Sequence, residues 1–408
     1  MSLAKLNAAL TAEVKTLQLE GRAKAAERVI VGYEPPHGDR GPRYRLAGSG
    51  QRFIRMNSNS YLSLSNHPLL VAAADEATRA FGVGPGAVRF IDGTFAPHVE
   101  LERRTAAFVG KSAAKVFNSA YTANLGQALA IGSPRTFWIG DELNHNSIIR
   151  AMRIAGVPKA NRAIYEHNDM DELARCLDEV PDGIDRVVVI FDGIFSMRGD
   201  FAPVDEINRC LAPHRERFPQ GLVTVIDDSH GIGAYGVAGR GTEEHTGARA
   251  DIAIGTFGKA FGVNGGFVAS SAEVIEAVRQ KSDTYIYTNP VGAGDAAAAV
   301  AALDLVDGEE GRSRLAHLRE RIAQFRAGIE RLGWESIAGP HPIVPLLVRD
   351  SARATALVQH FFARGVLVVG LTYPVVPKGS ETIRFQVNAA HTEADIAEVL
   401  AALEAFRD

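Results

Sequence analysis

The chain has 408 residues, of which 46% are hydrophobic and 23% charged, the ordinary composition of a globular protein with more than one packed unit. A net charge of -4 lacks the basic excess of a nucleic-acid-binding surface. Two cysteines without a CxxC or Cys/His cluster predict reduced thiols and no metal site. No apolar run approaches the roughly 18 residues that span a bilayer, and no signal peptide is indicated. We therefore expect a cytoplasmic protein without nucleic-acid or membrane partners.

Residues 1–55 are predicted to form an N-terminal helix followed by an irregular connection. Residues 34–52 of this connection are rich in glycine and proline. In the helix, apolar residues recur at three- and four-residue spacing and form one face: Leu3, Leu6, Leu10, Val14 and Leu17. We expect this face to pack on its own domain or on a partner subunit.

Between residues 56 and 295, short apolar runs typical of buried strands alternate with amphipathic helical patterns. The strand-like runs are AAKVF, RTFWIGD, VVVIFD, LVTVID, ADIAIGT and GGFVASS. This alternation predicts a large α/β domain with a mostly parallel sheet. Residues 296–408 hold a long charged helix, three strand-like runs (IVPLLV, GVLVVGL and IRFQV) and a closing helix, which predicts a smaller C-terminal α+β domain.

Polar side chains follow three of the predicted parallel strands at the points where the strands end. Asp192 follows the first strand, Asp227 and His230 follow the second, and Lys259 lies in a glycine-rich loop after the third. Because ligands bind at the carboxyl ends of strands in such sheets, we expect a shared site. The loop is not a P-loop, since Ala260 follows the lysine where Ser or Thr is required. A lysine near carboxylates instead suits Schiff-base chemistry with pyridoxal phosphate (PLP).

Four motifs in order make the sequence similar to the α-oxoamine synthases, a branch of the fold-type I PLP enzymes. They are SNSYLSL, DDSHGIG, TFGKAFG and IRFQVNAAHT. The resemblance extends from about residue 55 to the C-terminus. It implies a fold-type I PLP-dependent transferase, with the large sheet domain binding the cofactor.

The resemblance also implies roles for the residues around the cofactor ring. Lys259 forms the Schiff base with PLP and then carries a proton. Asp227 pairs with the pyridine nitrogen, and His145, in DELNHNS, stacks on the ring face. His230 and Ser196 lie near the phenolic oxygen. Lys259, His145, Asp227 and His230 are accordingly the candidate catalytic residues.

Further residues are implied for the phosphate and for the partner subunit. Backbone amides of Ala120 and Tyr121 begin a helix and suit a phosphate, which the helix dipole favours. Thr256 matches a hydroxyl donor from the lysine loop. Thr288 matches a residue that reaches the phosphate of the neighbouring subunit, which implies a homodimer with a shared active site.

Two residues match those that hold the carboxylate of the amino-acid substrate, Asn59 and Arg384. The planar fork of an arginine suits a carboxylate bidentately. His98 also falls on a family histidine, but we assign it no role. The reaction implied by the resemblance joins an amino acid to an acyl-CoA and releases CoA.

Several segments look most like the glycine C-acetyltransferase branch, among them FDGIFSMRGD, VRFIDGT and YPVVPKG. We therefore expect glycine and acetyl-CoA as substrates, although Ser63 and the segment NSAYTAN depart from the usual pattern. An 8-amino-7-oxononanoate synthase-like enzyme that uses alanine and a longer acyl thioester is the alternative. An aminotransferase on the same fold, a non-catalytic partner subunit and a phosphate-binding domain without chemistry also stay open.

Overall fold

The computed structural model describes residues 2–407, and its contacts divide the chain into two compact units. One unit is Asn59–Arg319, and the other joins the described residues up to Ser58 with those from Glu320 onward. The domain limits expected at 55/56 and 295/296 stay predictions. The second of them falls within an alanine-rich helix, Ala293–Asp307.

The secondary-structure elements are numbered in chain order. The strands are β1 (Ile30–Glu34), β2 (Arg43–Leu46), β3 (Arg52–Arg55), β4 (Ala113–Phe117), β5 (Thr136–Asp141), β6 (Arg162–Tyr165), β7 (Arg186–Asp192), β8 (Leu222–Asp227), β9 (Ile252–Thr256), β10 (Gly266–Ser270), β11 (Ile343–Leu347), β12 (Val366–Leu367), β13 (Val369–Leu371) and β14 (Thr382–Gln386). The helices are α1 (Ser2–Leu19), α2 (Pro68–Phe81), α3 (Ala96–Val109), α4 (Ala120–Ile131), α5 (Asn146–Ile154), α6 (Met170–Asp178), α7 (Val204–Leu211), α8 (Thr242–Thr246), α9 (Ala272–Lys281), α10 (Asp283–Ile286), α11 (Ala293–Asp307), α12 (Glu309–Arg331), α13 (Ser351–Ala363) and α14 (Glu393–Glu404).

The unit Asn59–Arg319 is built on a seven-stranded sheet in the order β4-β10-β9-β8-β7-β5-β6. Strand β10 is antiparallel to both of its neighbours, and the other pairs are parallel. The predicted mostly parallel sheet is thereby confirmed, with all six predicted strands in it. Strand β6 was not predicted, because it is a short edge strand with one buried residue, Tyr165.

Both faces of this sheet are buried, as the unbroken apolar run in β7 requires. Val187, Val189 and Phe191 face one core cluster, which includes apolar residues of α6 and α7. The alternate residues Val188 and Ile190 face the other cluster, which includes residues of α4, α5 and α9. Helices therefore cover both faces of the sheet, and the rim at its strand ends remains available to a ligand.

The other unit contains two small sheets, ordered β1-β2-β3-β12 and β11-β14-β13. The run GVLVVGL, predicted as one strand, is divided between them, since Val366–Leu367 pairs with β3 and Val369–Leu371 with β14. Residues 34–52 are less irregular than predicted. Gly38 and Gly48 lie in turns on either side of RYRL, which pairs with β1 and β3 as strand β2.

Helix α1 has no buried residue. The expectation that its apolar face packs on its own domain is therefore wrong. Leu3, Leu6, Leu10 and Val14 are between 48% and 66% exposed. Packing of this face on a partner subunit stays a prediction. Within residues 2–407, no helix is both long and apolar enough to cross a membrane.

Candidate active site

Three neighbouring strand ends form one rim of the seven-stranded sheet. In the ladder of β7 and β8, Asp192 lies opposite Asp227, and β9 follows on the other side of β8. Strand β9 ends at Thr256, three residues before Lys259. The residues predicted from these strand ends share one cavity, which is lined by Ala120, Tyr121, His145, Ser147, Asp192, Ser196, Asp227, Ser229, His230 and Lys259.

The loop that carries Lys259 is closed by its own backbone. The amide of Phe257 donates to Gly265 O at 2.9 Å, and the amide of Gly262 donates to Lys259 O at 3.1 Å. Gly262 has a φ of +71°, and a Cβ there would lie 2.5 Å from Ser65 N. Glycine is therefore required at this position by both conformation and space. The tight loop holds Lys259 half-buried at the cavity.

The carboxyl group of Asp192 is buried beneath the cavity. Burial raises its pKa well above the ordinary range, the negative charge of Asp227 adds to this, and the positive charge of Lys259 opposes it. Its Oδ2 accepts a hydrogen bond from the amide of His145 at 3.0 Å. Asp192 therefore holds the chain at the start of α5.

His145 caps α5 and faces the cavity. Burial lowers its pKa, with a further lowering by the positive charge of Lys259 and an opposing effect of Asp227. The ring is therefore a neutral imidazole at neutral pH. Its Nδ1 accepts from the amide of Ser147 at 3.3 Å.

The carboxylate of Asp227 is held from both sides. Oδ1 accepts from the amide of Ser229 at 3.0 Å, and Oδ2 accepts from Asn124 Nδ2 at 2.6 Å. Asn124, Ser147 and Ser229 were not predicted from the sequence. Helical spacing could have indicated Asn124, since it stands four residues after Ala120 and so on the same face of α4.

His230 contacts a buried tyrosine that the sequence analysis also missed. The hydroxyl of Tyr61 lies 2.7 Å from His230 Nδ1 and donates to Asn59 Oδ1 at 3.3 Å. Tyr61 is fully buried. It therefore connects the predicted carboxylate-binding Asn59 with a histidine of the cavity, and its position within SNSYLSL was an available signal.

The N-terminus of α4 contributes backbone amides to the cavity. Ser119 and Thr122 form a capping box, in which Ser119 Oγ accepts from Thr122 N at 3.2 Å. The amides of Ala120 and Tyr121 have no acceptor within the helix, as at any helix start, since the first intrahelical bond runs from Ala123 N to Ser119 O. Gly266 packs directly on this turn, because a Cβ there would lie 2.2 Å from Ala120 N. The turn is thus a compact site for an anion.

Three of the predicted residues do not line the cavity although they belong to the same unit. Asn59 Oδ1 accepts from the hydroxyl of Tyr61, which contacts His230 of the cavity. The hydroxyl of Thr256 donates to Gly265 O at 3.0 Å and accepts from the amide of Gly258. Thr288 Oγ1 accepts from Asn118 Nδ2 at 3.2 Å.

Two further residues named in the sequence analysis have other surroundings. Arg384 belongs to the other unit, on β14, between Pro345 of β11 and Val369 of β13. His98 is fully buried, and its Nδ1 accepts from the amide of Phe95 at 3.0 Å while Nε2 donates to Val291 O at 2.8 Å. Burial lowers the pKa of His98. His98 is therefore a neutral side chain that links Phe95 to Val291 by hydrogen bonds in the core.

The chain matches known proteins over most of its length. The model of the class I and II aminotransferase family matches residues 51–403. The 8-amino-7-oxononanoate synthase of Thermoanaerobacter pseudethanolicus is 36% identical over 89% of each chain. The same enzyme of Nitrosococcus oceani is 39% identical over 88% of this chain and 92% of its own. This chain belongs to the α-oxoamine synthase family of fold-type I PLP enzymes.

Solved structures agree with this family. Serine palmitoyltransferase of Sphingomonas wittichii is 26% identical with a TM-score of 0.86, over 97% of this chain and 95% of its own. The 8-amino-7-oxononanoate synthase of Francisella tularensis has a TM-score of 0.71 at 22% identity, which shows the fold alone. The predicted fold-type I architecture is confirmed.

PLP is the cofactor of this family, and the residues of the cavity fit it. Lys259 supplies a primary amine, Asp227 supplies a carboxylate held by two donors, and α4 supplies an anion site. Ser229 Oγ is buried and has no hydrogen-bond partner within residues 2–407, which leaves a polar atom of the cavity wall for a bound group. The chemistry of the cavity therefore suits a phosphorylated ring aldehyde.

Proposed function

We propose that this chain condenses an amino acid with an acyl thioester and releases the thiol. The observation that carries the proposal is Lys259 held half-buried in one cavity with Asp227 and His145, at the carboxyl ends of parallel strands. PLP, when bound, supplies an electron sink for negative charge at the amino acid's α-carbon. The identity with 8-amino-7-oxononanoate synthases supports acyl transfer as the use of that charge.

The side chains around the cavity have the following proposed roles. Lys259 Nζ would hold the cofactor through its aldehyde carbon and would move the proton of the substrate α-carbon. The Asp227 carboxylate would keep a proton on the ring nitrogen. His145 would hold the ring by its face, and His230 and Ser196 would hold the phenolic oxygen.

The charged groups of cofactor and substrate have their own proposed residues. The amides of Ala120 and Tyr121 bind the phosphate at the start of α4. Thr256 can add its hydroxyl only by exchanging its hydrogen bond to Gly265 O for one to the phosphate. Asn59 and Arg384 are proposed to hold the amino acid's carboxylate.

We propose alanine and a longer acyl thioester as the substrates, ahead of glycine and acetyl-CoA. The relatives that support this choice are 8-amino-7-oxononanoate synthases at 36–39% identity. In 8-amino-7-oxononanoate, the amine is on the carbon next to the ketone, and one further carbon follows. Alanine that has lost its carboxylate supplies this same two-carbon amine fragment. Glycine with acetyl-CoA is the second candidate, supported by the segments FDGIFSMRGD, VRFIDGT and YPVVPKG.

Two other classes of function are separated by simple observations. An aminotransferase would convert the cofactor with one amino acid and restore it with a keto acid, without any thioester. A non-catalytic partner subunit would not need the lysine, and Lys259 together with Asp227 and His230 lines the cavity. The non-catalytic subunit therefore fits the chain less well than acyl transfer, whereas a keto-acid acceptor test separates the aminotransferase from it.

The experiment that tests the proposal measures free thiol released by the purified protein. Glycine, alanine and serine are each combined with acetyl-CoA and with longer acyl-CoAs, beside Lys259→Ala and the exposed-lysine control Lys159→Ala. We expect release that depends on the amino acid, is greatest with alanine and a longer thioester, and disappears only in Lys259→Ala. Greatest release with glycine and acetyl-CoA would establish the second candidate. Keto-acid-dependent turnover without thiol release would establish an aminotransferase.

A further inference from the structure

Asn124 donates the two protons of its side-chain amide to two residues that line the cavity, Asp227 and Ser147. It is fully buried on the second turn of α4. Its Nδ2 lies 2.6 Å from Asp227 Oδ2 and 3.0 Å from Ser147 Oγ. The amide nitrogen can only donate, so both protons are used. The amide orientation follows from Asp227, because the reversed amide would place its oxygen against a carboxylate.

The second of these hydrogen bonds continues to His145. Ser147 donates its backbone N–H to His145 Nδ1 at 3.3 Å, and Ser147 Oγ lies 2.7 Å from the same atom. Because a backbone amide can only donate, Nδ1 is unprotonated and the ring proton is on Nε2. Ser147 Oγ therefore donates to His145 Nδ1 while it accepts from Asn124.

We propose that Asn124 is the positioning residue that fixes both cofactor-facing groups, Asp227 directly and His145 through Ser147. This inference rests on the proposed function, in which these two groups hold the ring nitrogen and the ring face. A rotation of the Asp227 carboxylate would break its bond to Asn124, and a change of tautomer at His145 would break the bond from Ser147. The side-chain amide of Asn124 thus keeps Asp227 and His145 in the orientations proposed to bind the cofactor ring.

The same helix offers a matched control. Gln127 lies three residues further along α4 and is also fully buried. Within residues 2–407, neither of its side-chain polar atoms has a hydrogen-bond partner. Replacing Gln127 therefore removes a buried amide of α4 without removing a donor to the site.

The first test compares PLP retention in Asn124→Leu and Gln127→Met, two substitutions that keep most of the side-chain volume. Hydrogen bonds to charged groups are the stronger ones, so loss of the donor to Asp227 should weaken PLP binding about tenfold or more. The Gln127 variant should stay within about twofold of wild type. Wild-type retention in Asn124→Leu, or an equal loss in both variants, would overturn the role at Asp227.

Asn124→Asp gives a readout that a packing role would not produce, and it serves also if the leucine variant fails to fold. The introduced carboxyl faces Asp227, so it can donate only while it is protonated. PLP retention should therefore be best at low pH and fall as the pH rises, more steeply than in the wild type measured in parallel. A pH profile of retention parallel to wild type would contradict the assignment.

Ser147→Ala isolates the path to His145. The pKa of His145 is followed by NMR in the PLP-free protein, with His145→Gln to assign the signal. Removal of a donor to the neutral ring should raise this pKa by about half a unit to one unit. An unchanged pKa would remove His145 from the inference.

Failure of the proposed function looks different from failure of this inference. If wild type shows no visible PLP absorption that depends on Lys259, the proposed function is wrong. If that absorption is present and the Asn124 and Ser147 variants behave as wild type, only the inference is wrong.

Discussion

At the scale of single residues, the first turn of α4 beside the cavity depends on a neighbouring residue that has no side chain. Gly266 opens β10 at the point where this strand passes the start of α4. A Cβ would lie 2.2 Å from Ala120 N and 2.5 Å from Ser119 C, and both are backbone atoms that cannot rotate away. Glycine at this position therefore allows β10 to pack against the first turn of α4.

Gly266→Ala tests this close approach. We expect weaker PLP retention and a loss of about 1–3 kcal/mol of folding free energy, because the first turn of α4 must shift. PLP titration and chemical denaturation measure the two effects. Gly50→Ala is the control, since a Cβ at Gly50 meets nothing within 4 Å. Equal behaviour of the two variants would show that the turn can adapt.

At the scale of elements, a half-buried histidine joins the end of β5 to the loop after β7. His167 Nδ1 lies 3.1 Å from Asp141 Oδ1 at the end of β5, and Nε2 lies 3.2 Å from Asp200 Oδ2 in the loop after β7. Ser196 of the cavity belongs to the same loop. Burial would lower the pKa of His167, but its hydrogen bonds to both aspartates outweigh burial and raise the pKa to about 9.

His167→Gln should therefore destabilise the protein in a pH-dependent way. A histidine pKa of about 9 in the folded state lies above the unfolded value of about 6.5. The stabilisation is therefore complete below pH 6.5 and is lost as the pH rises through 9. We expect the variant to lose about 1–3 kcal/mol at pH 6 and much less at pH 10, measured by chemical denaturation. His37→Gln, at an exposed turn, is the control, and a loss independent of pH would contradict the charged-pair explanation.

At the scale of the whole molecule, exposed apolar surface points to a partner of the same kind. Beside Thr288, Tyr287 is 74% exposed, and Phe90, which lines the same groove, is 62% exposed. Large apolar groups in one exposed groove are typical of a protein interface. The apolar face of α1 is a second such surface. Both features agree with the homodimer predicted from the family resemblance, in which Thr288 reaches the partner's phosphate site.

A charged substitution on this surface tests the dimer. Tyr287→Asp should produce monomers and weaken PLP retention, although Tyr287 does not line the cavity of its own chain. Light scattering gives the mass, and gel filtration with absorption gives the bound PLP. Ile164→Asp, on the exposed edge strand β6, should change neither quantity. A wild-type monomer that keeps its PLP would refute the shared site.

The sequence by itself determined the fold class, the six strands with continuous apolar runs, and the family, because these follow from local periodicity and from short motifs that need no partner. It also placed Asp192, Asp227 and Lys259 at one rim, since parallel strands end together. Substrate choice was harder, because the quoted segments resemble the glycine branch, whereas the relatives at 36% and 39% identity are 8-amino-7-oxononanoate synthases.

Only the tertiary structure decided which side chains hold these residues in place. Asn124 meets Asp227 across 103 residues, and Tyr61 meets His230 across 169 residues. No local pattern encodes such pairs, because each depends on how helices and loops pack against the sheet. The division of GVLVVGL between two sheets has the same cause, because the pairing of a strand depends on which strands lie beside it in the folded chain.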